Sequence, residues 1–149
     1  MSYHTFHTSH DVQLLLPPAD QGDLNTSWVA PFADGGGANA AVFMLVVGTV
    51  ATDTIDLQVY QAQDSGGTGA KVITGAAITQ ITTTSDECIK TVEIFPWNMD
   101  DLHGFKYVRA TVTVGSIGSE NYAVILIKHQ LRQPGNFTRH SSYTEYVSL

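Results

Sequence analysis

Thr54-Ile-Asp-Leu-Gln-Val-Tyr-Gln-Ala-Gln-Asp-Ser-Gly-Gly-Thr-Gly-Ala-Lys-Val-Ile-Thr-Gly-Ala-Ala-Ile-Thr-Gln-Ile-Thr-Thr83 is the stretch that decides the fold. Ile55, Leu57 and Val59 alternate with polar neighbours, the period of a strand with one wet face. The alternation breaks at Gln63-Asp-Ser-Gly-Gly-Thr-Gly-Ala, whose glycines tolerate the positive φ angles a chain reversal needs. Lys71-Val-Ile-Thr and Ala76-Ala-Ile-Thr-Gln-Ile then return. The segment reads as one hairpin of a sandwich or barrel.

Similar signals recur on both sides. Val12-Gln-Leu-Leu-Leu before Pro17-Pro18 predicts a short edge or arm strand that the prolines stop. Ala41-Val-Phe-Met-Leu-Val-Val is continuously apolar, which predicts a strand buried on both faces. Ile89-Lys-Thr-Val-Glu-Ile-Phe alternates again, with Val92 and Ile94 flanking Glu93. Phe105-Lys-Tyr-Val-Arg-Ala-Thr-Val-Thr-Val places Val108, Ala110, Val112 and Val114 on one face, while the other begins Phe105, Tyr107, Arg109. Tyr122-Ala-Val-Ile-Leu-Ile-Lys-His is the last core strand. The one helical signal is a single turn at Asn98-Met-Asp-Asp-Leu, with Asn98 as cap and acids at the positive end of its dipole.

Strands joined by Gly, Asn, Asp and Ser predict an all-β fold, an antiparallel β-sandwich or jelly-roll-like single domain. The 149 residues suffice for one core. The organisation expected is an N-terminal arm over 1–23, a β-sandwich over 24–133 and a C-terminal arm over 134–149. No apolar run reaches the ~20 residues of a membrane-spanning helix. Met1-Ser-Tyr-His-Thr-Phe-His has neither a basic region nor an apolar one, so it does not read as a secretory signal. Cys88 is the single cysteine, consistent with folding in a reducing cytoplasm.

Residues 1–70 hold seven acids and no Lys or Arg, whereas residues 71–149 hold seven acids and seven bases. The net charge of −7 therefore sits in the first half. Solubility is the plain reading, and direct binding to nucleic acid is not expected without a cationic stripe.

Catalytic patterns fail on physical grounds. In Gly115-Ser-Ile-Gly118 the serine directly follows a glycine at a hairpin, unlike a nucleophile elbow. Cys88 follows Asp86-Glu87, whose charge opposes a thiolate. Asp100 and Asp101 are adjacent and point apart. Gly35-Gly-Gly and Gly66-Gly-Thr-Gly open no helix and carry no phosphate-binding lysine. His4, His7 and His10 would share a face only on a helix, which Thr5, Phe6 and Thr8 disfavour. Asp53, Asp56 and Asp64 lack the spacing of a calcium loop. No enzyme activity, metal or cofactor is expected.

The aromatic residues near the ends are the functional signal. Tyr3, Phe6 and Trp28 on one side, and Phe137, Tyr143 and Tyr146 on the other, stand in polar surroundings. Isolated aromatics of this kind are the usual anchors of protein interfaces, so these six are the expected partner-binding residues.

Val46-Val-Gly-Thr-Val, the segment beginning Thr54-Ile-Asp-Leu-Gln-Val-Tyr, Ala76-Ala-Ile-Thr-Gln-Ile and Phe105-Lys-Tyr-Val-Arg-Ala-Thr-Val-Thr-Val together resemble small head proteins of tailed bacteriophages, similar to capsid decoration (cement) proteins. The resemblance covers roughly residues 40–130. It implies a non-enzymatic virion structural protein folded in the host cytoplasm and placed on the capsid exterior. Its partners would be the major capsid protein and copies of itself, a homotrimer being favoured, with no membrane or nucleic acid contacted. The alternatives are a carbohydrate- or receptor-binding module, with Trp97, Tyr107 and Trp28 as platforms, and a head–tail or tail structural protein.

Overall fold

The structure, a computed structural model, describes residues 10–33, 37–51, 53–115 and 118–129. Eight strands are formed: β1 (His10–Gln21), β2 (Leu24–Asn25), β3 (Ala40–Val47), β4 (Ile55–Ala62), β5 (Lys71–Ala77), β6 (Ile89–Ile94), β7 (Tyr107–Val114) and β8 (Glu120–His129). They make two four-stranded sheets, β1-β8-β3-β6 (the first sheet) and β2-β7-β4-β5 (the second), with every pairing antiparallel. The expected all-β sandwich is the fold.

Alternation builds the core. On β4 the residues Ile55, Leu57 and Val59 are buried, and on β7 so are Val108, Ala110 and Val112. Phe43 and Leu45 on β3 and Val124 and Leu126 on β8 join them in one cluster. Fully burying each of the larger side chains contributes roughly 1.5–3 kcal/mol, so this shared interior is the main source of cohesion.

Three sequence expectations change. The prolines do not stop β1, which runs through Pro17 and Pro18 to Gln21 with register shifts around Leu16. β1 is an edge strand, so a missing N–H there interrupts no ladder on its open side. Residues 10–21 of the segment read as an arm thus belong to the first sheet. β3 is not buried on both faces: Ala41, Phe43, Leu45 and Val47 are buried, while Val42, Met44 and Val46 are only half-buried. The single turn near Asn98 becomes two short 3-10 turns, Pro96–Asn98 and Asp101–His103. There Asn98 Oδ1 accepts the Phe95 N–H at 2.8 Å, closing the turn backwards instead of capping forwards.

Side chains lock the edges. Asp11, buried in the first sheet, pairs with Lys128 at 2.6 Å and accepts the Gln13 amide at 2.8 Å. In the hairpin loop Asp64 Oδ1 accepts the N–H groups of Gly66 at 2.9 Å and Thr68 at 3.0 Å. Its hydrogen bonds with Thr68 lead in holding its carboxyl below the usual range.

Candidate interaction surfaces

Because side chains alternate across a strand, each sheet has an outer face whose composition follows from its register. On the first sheet Val42 faces Ile127, Met44 faces Ile125, and Val12 and Leu14 lie beyond them. Ile89, 60% exposed, borders Val46 from β6. This outer face is therefore largely aliphatic; most of it is half-buried, and Leu14 and Ile89 are exposed.

The second sheet turns out a different set: Asp56, Gln58 and Tyr60 from β4, and Tyr107, Arg109, Thr111 and Thr113 from β7. Three of these side chains are committed to internal hydrogen bonds. Gln58 Nε2 donates to the Ala76 carbonyl at 2.9 Å, bridging the register shift between β4 and β5. Asp56 accepts from Gln80 at 2.7 Å, and Thr111 donates to Asn25 at 2.6 Å.

Arg109 makes no such bond, and a local irregularity explains its company. Thr26 bonds Ala110 through its N–H at 2.9 Å, and Val29 bonds Val108 in both directions at 2.9 and 2.8 Å. Ser27 and Trp28 thus stand opposite one residue, Arg109, which is the two-against-one count of a β-bulge. The Trp28 ring lies 4.6 Å from the Arg109 guanidinium carbon, and Tyr60, its cross-strand neighbour, 5.9 Å. Gly67, at φ +88°, packs against the indole edge; a Cβ there would lie 2.8 Å from Trp28 Nε1. Arg109 Nε is buried without a hydrogen-bond partner, and no group among the described residues hydrogen-bonds or ion-pairs with this side chain.

One end of the sandwich forms a third surface. Phe95 and Trp97 stack at 4.5 Å with their planes 5° apart, and Trp97 remains 76% exposed. Leu102, on the second 3-10 turn, is 97% exposed. A groove of about 540 Å³ runs past Phe32, Pro96, Met99 and Phe105, with Asp101 and Lys106 at its polar edge. Nearby Asp100 is engaged on both oxygens, by Lys71 and by His103 Nδ1 at 2.6 Å. The bond from Lys71, followed by that from His103, holds its carboxyl below the ordinary range. His129 meets Glu93 at 2.8 Å and stacks on His10, so β1 begins and β8 ends at this same pole.

Of the six residues expected to bind a partner, Trp28 lies on the second sheet's outer face. Tyr3, Phe6, Phe137, Tyr143 and Tyr146 lie outside the described residues, as do His4 and His7. Tyr107 shares the second sheet's outer face with Trp28, whereas Trp97 sits at the end of the sandwich, so the three form no single platform. Sequence reasoning missed Tyr60 and Arg109 as a pair, although the face shared by Tyr107 and Arg109 was readable from alternation. Among the described residues no cluster of three or more His, Cys, Asp or Glu side chains is placed to hold a metal ion.

No family model matches the sequence, and no curated protein matches it either. Among solved structures the chain is similar to a xylan-binding module CBM15, at 9% identity and a TM-score of 0.37, covering 85% of this chain and 94% of that one. At that TM-score the likeness adds nothing to the geometry of the surfaces.

Proposed function

We propose that this chain is a non-enzymatic structural protein of a tailed-phage virion, decorating the capsid exterior and bridging major capsid subunits. The observation that carries the proposal is the aliphatic outer face of the first sheet. A strand as apolar as β3 is normally covered on both sides, and here the outward side chains Met44, Ile125 and their neighbours are only half-buried. Contiguous apolar surface of this kind marks a protein interface, and the resemblance to phage head proteins supplies the class of partner. Self-association through the same face, a trimer being favoured, accompanies shell binding.

The test is addition of purified protein to capsid shells that lack it. Wild type co-sediments with the shells, and the double variant Met44→Asp/Ile125→Asp stays in the supernatant while keeping its strand circular dichroism. Equal binding by both proteins would sink the reading, as would rings seen at a head–tail junction. A carbohydrate-binding reading is favoured by one feature, the exposed coplanar Phe95–Trp97 stack, which offers the flat apolar face that sugar rings pack on. Glycan-array binding abolished by Trp97→Ala, with no shell binding, would select it.

A further inference from the structure

A half-buried arginine with no anion beside it among the described residues is unusual in a chain of net charge −7. Arg109 instead has rings on its flanks, Trp28 at 4.6 Å and Tyr60 at 5.9 Å. Rings interact with a guanidinium without using its N–H donors; Nε is buried here, so the terminal Nη groups are the donors left for a partner. A planar carboxylate satisfies those donors best, through charge-assisted and often paired hydrogen bonds. The bulge aims Trp28 at this one position, and the bonding of Asp64 fixes the loop that seats its indole edge.

We propose that the Trp28–Arg109–Tyr60 cluster is a recognition site for an acidic side chain, Asp or Glu, on a protein partner. Two observations favour a protein carboxylate over an acidic sugar. Three neighbouring polar side chains that could bind sugar hydroxyls are occupied internally: Gln58 by Ala76, Thr111 by Asn25, Asp56 by Gln80. Exposed Val72, opposite Tyr60 on β5, adds apolar rim, and Trp, Tyr and Arg are the residue types that dominate protein interfaces. The site is distinct from the first sheet's outer face, and the inference stands without the virion reading.

The experiment titrates hexaglutamate into the full chain carrying Trp97→Phe, so that Trp28 fluorescence reports alone. Salt at ~0.15 M screens the diffuse negative charge of the chain beyond ~8 Å while sparing the direct contact. Hexaglutamate shifts the Trp28 emission and hexaglutamine does not; Arg109→Gln weakens binding at least ~tenfold, the scale of one charged hydrogen-bonded contact. Arg109→Lys, which keeps charge but loses the planar fork, also weakens it. Thermal melting of both variants confirms a folded chain. Hexaglutamate binding untouched by Arg109→Gln, or no binding by wild type, overturns the proposal. Tighter binding of hexagalacturonate than of hexaglutamate overturns the choice of a protein partner. Shell binding that survives Arg109→Gln leaves the assembly reading standing on its own.

Discussion

The two sheets share one interior and face outwards with opposite chemistries. The second sheet follows the ordinary rule, with buried Leu57 and Val59 alternating with Gln58 and Tyr60 in contact with water. The first sheet departs from it, backing buried Phe43 and Leu45 with Val42, Met44 and Val46. Both sheets carry register irregularities, in β1–β8 around Leu16 and in β4–β5 between Gln58 and Tyr60, so pairing regularity does not explain the difference. What differs is the surrounding each face is suited to: water and a discrete contact for the second, a covering surface for the first.

Substitutions can break this contrast or sharpen it. The largest effect on stability is expected for Asp11→Ala, which leaves Lys128 facing the interior without its partner. Loss of one member of a buried pair costs about 3–5 kcal/mol, measurable by urea denaturation. A loss below ~1 kcal/mol would mean that β1 is held by its ladder alone. Next comes Gly67→Ala, which combines a positive φ with a close approach to the Trp28 edge. It is expected to cost about 1–3 kcal/mol and to alter Trp28 fluorescence, while leaving first-sheet self-association unchanged.

The smallest effect concerns Tyr122, whose hydroxyl donates to the Gly22 carbonyl at 2.6 Å. Burial, with Asp23 adding to it, raises its pKa to about 12. A folded value above the unfolded ~10 means that this stabilisation is complete below about pH 10 and is lost as pH rises towards 12. Tyr122→Phe should remove that alkaline loss and cost about 1 kcal/mol at neutral pH for the missing hydrogen bond. An unchanged alkaline unfolding profile in the variant would count against this role.

Much of the fold was legible because one wet face imposes alternation, as in residues 55–62 and 107–114. β3 misled for the same reason: an apolar run reads as doubly buried, yet the second cover is not supplied by this chain's described residues. Pro17 and Pro18 misled because whether a missing N–H matters depends on edge position, which is a property of topology. The site was half legible. Tyr107 and Arg109 share a face by alternation, but bringing Trp28 over Arg109 needs a two-against-one register between residues 26–29 and β7, and no local residue pattern announces that.

Among the described strands β1 pairs only with β8, the last of them to be synthesised. On the ribosome β1 must therefore wait for β8. The second sheet and the β3–β6 pair can form before that, while the edge that covers one flank of β8 closes only after residues 120–129 have been made. Completion of the first sheet thus waits for β8, and the aliphatic surface reaches its full width only then. A sheet built this way delays its own stickiness until all four of its strands exist.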